Sequence, residues 1–203
     1  MKNLKVSIAS LIVSLLSSTV MAETFLLDDF ESPGNTLFSK EGVYKRDPSD
    51  AKKGSTTKEA FSGEKSLYIA YKKEAEGFCG YYIHLKANNR FFDGSKYTKI
   101  TFMVKGKEGG EKFQLGLADK AWFEIDDSVK SPNIGEFLPA KNKDAGLTTE
   151  WQKAEIPLQT FVDIRSGDFD LTQLGAMAFC FEPACFEDGT GKGVIYIDDI
   201  SFE

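Results

Sequence analysis

The sequence predicts an all-β protein, a two-sheet antiparallel β-sandwich. Three observations carry that expectation: apolar residues recur at every second position in short runs, Gly, Asn, Asp and Pro gather between the runs, and almost no stretch has helical periodicity. Alternation of this kind suits strands that face a core on one side and water on the other.

The chain opens with Met1-Lys2-Asn3-Leu4-Lys5, an apolar run from Val6 to Val20, and the small residue Ala22 before Glu23. This pattern is that of a secretory signal peptide, residues 1–22, and the Ser-rich run is short for a membrane span. The expected product is a single domain, 23–203, secreted or periplasmic, with no later stretch apolar enough to hold it in a membrane.

Strands are expected at 25–30, 66–71, 79–86, 99–105, 111–117, 151–156, 175–181 and 193–202. In 111–117 the phase puts Phe113, Leu115 and Leu117 inside. In 79–86 it buries Cys79, Tyr81, Ile83 and Leu85 and turns Gly80, Tyr82, His84 and Lys86 outward. In 175–181 it buries Met177, Phe179 and Phe181 and leaves Ala176, Ala178 and Cys180 outside. Seventeen phenylalanines supply enough apolar area for a sandwich core. Residues 126–149, dominated by Gly, Pro, Asn, Lys and Asp, read as a long loop over one end.

Loss of the leader removes Lys2 and Lys5 and takes the formal charge from −6 to −8. An acidic chain without a basic cluster has little electrostatic attraction for nucleic acid or anionic membranes. Of the three cysteines, Cys180 and Cys185 bracket Phe-Glu-Pro-Ala and are the favoured disulfide. A pairing that uses Cys79 is the alternative. The spacing lacks the paired ligand motifs of structural zinc.

Both ends of the domain join acidic residues to apolar strands: Leu26-Leu27-Asp28-Asp29-Phe30-Glu31 and Tyr196-Ile197-Asp198-Asp199-Ile200. Period-two phase places one carboxylate of the Asp198-Asp199 pair among apolar neighbours, and a buried carboxylate needs a cation or hydrogen-bond donors. Calcium, which takes hard oxygen ligands, is one answer; acids at solvated strand ends are the other reading.

Those two segments resemble the opening and closing strands of galactose-binding-like jelly-roll modules, as do Phe92-Asp93-Gly94-Ser95-Lys96-Tyr97, Trp151-Gln152-Lys153-Ala154-Glu155-Ile156-Pro157-Leu158 and Asp170-Leu171-Thr172-Gln173-Leu174. The chain is similar to family 11 carbohydrate-binding modules and to the domain of complex I intermediate-associated proteins. The resemblance implies a structural calcium held by Glu31 and Asp198, with Asp29 a weaker ligand. It also implies a polysaccharide bound on one sheet face and its rim loops, where aromatic rings stack on sugars. The residues offered for that role are Tyr82, His84, Gln114, Trp122, Tyr71 and Tyr44. Where such modules often carry an aromatic residue before Gly, this chain has Cys79, and its penultimate strand turns Ala176, Ala178 and Cys180 outward. A smooth face of that kind is also suited to a protein partner. The single histidine, His84, and the lack of a marked nucleophile or opposed carboxylates argue against an enzyme.

Overall fold

A computed structural model describes residues 23–142 and 144–203; the expected signal peptide lies outside the described residues. The elements follow as β1 (Phe25–Asp28), β2 (Glu41–Arg46), β3 (Asp50–Thr56), β4 (Ser66–Lys73), β5 (Phe78–His84), β6 (Lys99–Gly106) and β7 (Gln114–Asp119). Then come α1 (Lys120–Glu124), β8 (Val129–Asn133), β9 (Gln152–Pro157), α2 (Gln159–Ile164), β10 (Leu174–Phe181) and β11 (Gly191–Phe202). They form two antiparallel sheets. One has the order β3-β4-β11-β6-β9, with β1 also paired to β11; the other has the order β2-β5-β10-β7-β8.

The expected sandwich is the fold observed, and phase decides its interior. Phe113, Leu115, Leu117, Tyr81, Ile83, Met177, Phe179 and Phe181 from one sheet are buried against Ile69, Ile100, Phe102, Val104, Ile195 and Ile197 from the other. Phe179 meets Phe102 and Phe113 at 5.3 and 5.5 Å between ring centroids, and Tyr71 stacks on Phe181 at 3.7 Å. Each fully buried ring of this kind contributes about 2 to 3 kcal/mol of transfer free energy. Tyr71, expected to face a ligand, is therefore a core residue, turned inward on β4.

Four elements lie where no strand or helix was expected: β2, β3, α1 and α2. A fifth, β8, lies inside the expected 126–149 loop. β8 contains Pro132, which edge strands tolerate because one side of an edge strand has no ladder to donate to. Its register slips between Gln114 and Gly116 of β7, and there the Ser131 hydroxyl accepts the Leu115 N–H at 3.0 Å. A second bulge sets the end of β11. Pairing with β6 shifts between Asp198 and Ser201, and Asp199 has φ 49°. The extra residue lets Ile195 and Ile197 before it, and Ile200 and Phe202 after it, all face the core, while Asp198 keeps the phase of Tyr196 on the outer face.

The Cys180–Cys185 disulfide does not form. All three cysteines are free and buried, and the Cys185 Sγ lies 3.9 Å from the Cys180 carbonyl oxygen. The two residues project differently: Cys180 extends outward from β10 while Cys185 sits in the one-turn helix after it, a geometry that five residues of spacing do not reveal.

Candidate functional site

The outer face of the five-stranded sheet carries a groove of about 720 Å³. Its floor follows from register. Tyr82 of β5, Ala178 of β10 and Gly116 of β7 are cross-strand neighbours, as are His84, Ala176 and Ala118, and likewise Gly80, Cys180 and Gln114. The small side chains Ala176 and Ala178 of β10 thus lower the middle of the sheet, while Ser128 covers Gly116 of β7 and larger side chains stand on either side. The smooth strip that suggested a protein-facing surface is the bottom of a groove.

One wall comes from β2 and β5. Tyr44 lies over Gly80, its ring 6.1 Å from that of Phe78, and Tyr82 stands 5.1 Å from the His84 ring. The other wall comes from α1 and the turn after it. Asp119 caps α1 by accepting the Trp122 N–H at 3.1 Å. That single turn presents Phe123 and delivers Ile125 to the rim, 66% exposed. Phe123 can reach this position because Gly175 has no Cβ; one built there would fall 2.6 Å from the Phe123 ring. His84 meets Phe123 edge-on at 5.0 Å and so spans the floor between the walls.

The polar groups are suited to uncharged partners. Burial first, then Lys40, pushes the His84 imidazole below its ordinary value, so at neutral pH it both donates and accepts hydrogen bonds. Burial holds the Tyr44 phenol well above its usual range. The Lys40 ammonium sits 5.8 Å from the Tyr82 ring centroid, and Lys130 pairs with Asp127 at the far rim. Asp126 and Glu182 also line the groove.

Of the residues offered from sequence, the structure brings Tyr82, His84 and Tyr44 together in this groove. Gln114 lies on the same face beside Cys180, outside the groove lining. Trp122 is also absent from the lining: it is half-buried against the core under the Arg165 guanidinium, 5.2 Å from its ring. Tyr71 is interior. Phe78, Phe123 and Ile125 were missed, although an exposed apolar residue directly before an Asp-Asp turn was a legible signal at Ile125.

The acidic ends do something other than expected. Asp198 is fully buried; its Oδ2 accepts the N–H groups of Phe61 and Ser62 at 2.9 and 3.2 Å, and its Oδ1 accepts that of Asp199 at 2.9 Å. The Glu31 Oε1 accepts the N–H groups of Glu64 and Lys65, both at 2.8 Å, and those bonds hold its carboxyl below the usual range. The Asp29 carboxylate takes the Glu31 N–H at 3.1 Å and closes its own turn. First and last strands therefore clasp one loop, 61–65, by carboxylate-to-amide bonds. Donor N–H groups aimed at the Asp198 oxygens are the environment of an anion, not of a cation. Among the described residues no three of His, Cys, Asp and Glu gather as a metal site. Glu31, Asp198 and Asp29 as arranged do not fit the calcium site expected of them.

A sandwich with an aromatic-walled groove across one sheet is the architecture of a non-catalytic carbohydrate-binding module. The chain belongs to the family described as carbohydrate binding domain 30, whose sequence model matches residues 19–203. Among curated proteins none is similar enough in sequence to match. Solved structures of the same fold include the family 11 module of the cellulosomal cellulase Lic26A-Cel5E of Clostridium thermocellum (19% identity, TM-score 0.62, covering 90% of this chain and 95% of that one). The Clostridium thermocellum family 11 module in complex with a β-1,3-1,4-mixed-linked tetrasaccharide is similar at 19% identity and TM-score 0.61, covering 88% and 94%. The family 30 module of the cellulosomal cellulase Cel9D-Cel44B of Clostridium thermocellum shares 22% identity at TM-score 0.56, over 74% of this chain and 81% of that one. The resemblance to family 11 modules thus holds for the fold, and family 30 is where the sequence belongs.

Proposed function

We propose that this protein acts outside the cytoplasm and binds a single chain of a neutral, β-linked glucan laid along the groove. The observation that supports the reading most is the groove itself, about 720 Å³, with Tyr44, Phe78 and Tyr82 on one side, Phe123 and Ile125 on the other, the small residues Ala176 and Ala178 between them, and His84 in edge contact with Phe123. Aromatic faces match the C–H faces of pyranose rings, and the neutral His84 imidazole, the Tyr44 hydroxyl and the carboxylates of Asp126 and Glu182 offer hydrogen bonds to ring hydroxyls. The apolar leader before Glu23 supports export, where such polysaccharides are met. A similar module has been solved with a mixed-linked β-1,3-1,4 tetrasaccharide, which makes that oligosaccharide the first probe.

Calorimetric titration of the tetrasaccharide into residues 23–203 tests the proposal. Binding is expected, and Tyr82→Ala should weaken it about tenfold or more, the scale of 1.4 kcal/mol. Unchanged affinity in Tyr82→Ala, or no binding of mixed-linked, β-1,4 or β-1,3 glucan oligosaccharides, refutes it.

A further inference from the structure

We infer a second carbohydrate-binding surface, on the outer face of the six-stranded sheet, turned away from the groove; its ligand class rests on the proposed function above. Register lines up Tyr68 of β4, Tyr196 of β11 and Lys105 of β6 as cross-strand neighbours. Trp151, directly before β9, extends the row, and Phe61 meets the Trp151 ring edge-on at 6.0 Å. Strands spaced at about 4.8 Å give the row from β3 to β6 a length of about 14 Å.

The rings are held in place before any ligand arrives. Tyr68 lies across the sheet onto Gly54 of β3, so closely that a Cβ there would be 2.6 Å from the ring. The Lys105 ammonium is 5.7 Å from the Tyr196 ring centroid and 5.8 Å from that of Trp151, and it pairs with Glu59 at 2.7 Å. Its side chain is only 15% exposed, so it fixes both rings instead of moving in solvent. Phe61 is pinned from beneath by its N–H bond to Asp198, yet is 49% exposed.

The occupant follows from charge. Lys105 is neutralised by Glu59 and shared between two rings, so the row of rings carries no free charge of its own; the unpaired Lys52 and Lys192 stand on the same face beyond its end. A neutral partner with an apolar face and a rim of hydroxyls matches it. Pyranose C–H faces stack on Tyr196 and Trp151, and the paired ions accept and donate to hydroxyls at the edge. The surface of a typical protein interface core is depleted of such ions. Two sites on opposite sheets let one molecule hold two stretches of glucan.

The test is a titration of the mixed-linked β-1,3-1,4 tetrasaccharide followed by the indole N–H resonance of Trp151 and, for the groove, the imidazole resonances of the single histidine, His84, in wild-type protein and in Tyr82→Ala. Expected is movement of the Trp151 resonance in both proteins. With long soluble mixed-linked glucan, wild-type protein should raise turbidity by cross-linking, and Tyr196→Ala should lose that effect while keeping wild-type affinity for the tetrasaccharide in the groove. Groove resonances that shift while Trp151 stays fixed at saturation overturn this inference alone. Trp151 shifts without groove shifts refute the groove reading and leave this one standing. Concentration-dependent dimerisation lost in Tyr196→Ala would assign the face to a second copy and overturn it.

Discussion

Asp28 shows how one buried carboxylate marks the stability of the whole domain. It is almost wholly buried, and desolvation raises its pKa from 3.8 to about 6 despite the N–H bond it accepts from Phe30. A group whose folded value is raised stabilises the fold fully below the unfolded value, and that contribution is lost as pH climbs through the folded value. Asp28→Asn should therefore flatten the fall in stability between pH 4 and 6 and leave the domain more stable at pH 7, by at most about 3 kcal/mol. Urea unfolding at several pH values measures this; an unchanged slope refutes it. The 61–65 clasp makes a second prediction. Glu31→Ala and Asp198→Ala, which remove the acceptor oxygens of the clasp, should each lower the melting midpoint, while a chelator leaves the wild-type midpoint where it is. A chelator-dependent drop with one calcium per chain by elemental analysis would restore the metal reading. That an acid pair near the terminus needed partners was legible from burial cost alone. Which partners it had was not, because Phe61 and Asp198 are far apart in sequence and a backbone N–H has no sequence signature.

Among the elements, β10 and α1 decide the site. β10 was read correctly in both faces because Met177, Phe179 and Phe181 alternate cleanly with Ala176, Ala178 and Cys180. The two elements that build the walls, β2 and α1, escaped notice for physical reasons. β2 alternates only weakly, with Glu41, Lys45 and Arg46 at an exposed sheet edge, and α1 is a single turn, too short to show a 3.6-residue period. β8, with Lys130, Ser131, Pro132 and Asn133, has the composition of a loop. If the small floor of β10 makes the groove, filling it should remove function without unfolding the protein. Ala176→Phe points into the groove beside His84 and should abolish glucan binding, with a melting midpoint within a few degrees of wild type. Binding that survives this change would mean that the ligand lies elsewhere.

For the molecule as a whole, charge and fold make separate demands on the partner. The sandwich class was legible from periodicity, since one-sided burial of each sheet shows directly as alternation, whereas the groove depends on which strands lie side by side, and register between distant strands is not written locally. Much of the surface charge is tied up in ion pairs such as Lys45 with Asp50, Lys99 with Glu155 and Lys153 with Glu203, and the acids in excess of these pairs give the domain its negative balance. Such exposed pairs contribute little to stability and are screened by salt. The groove, by contrast, offers rings and the His84 imidazole, and its charged groups Lys40, Asp126 and Glu182 would meet uncharged hydroxyls, so its contacts with a neutral sugar depend little on ionic strength. Affinity for a neutral glucan should therefore change by less than about twofold as salt rises from about 0.05 to 1 M, a range over which the screening length falls from more than about 10 Å to about 3 Å. The net negative charge should also exclude acidic polysaccharides at low salt. Affinity electrophoresis in gels cast with neutral or acidic polysaccharide, at both salt levels, compares the two. Retardation by the acidic polymer, or loss of neutral-glucan retardation at high salt, would show that ion pairs carry recognition and would move the site away from Tyr82 and His84 toward the charged rim.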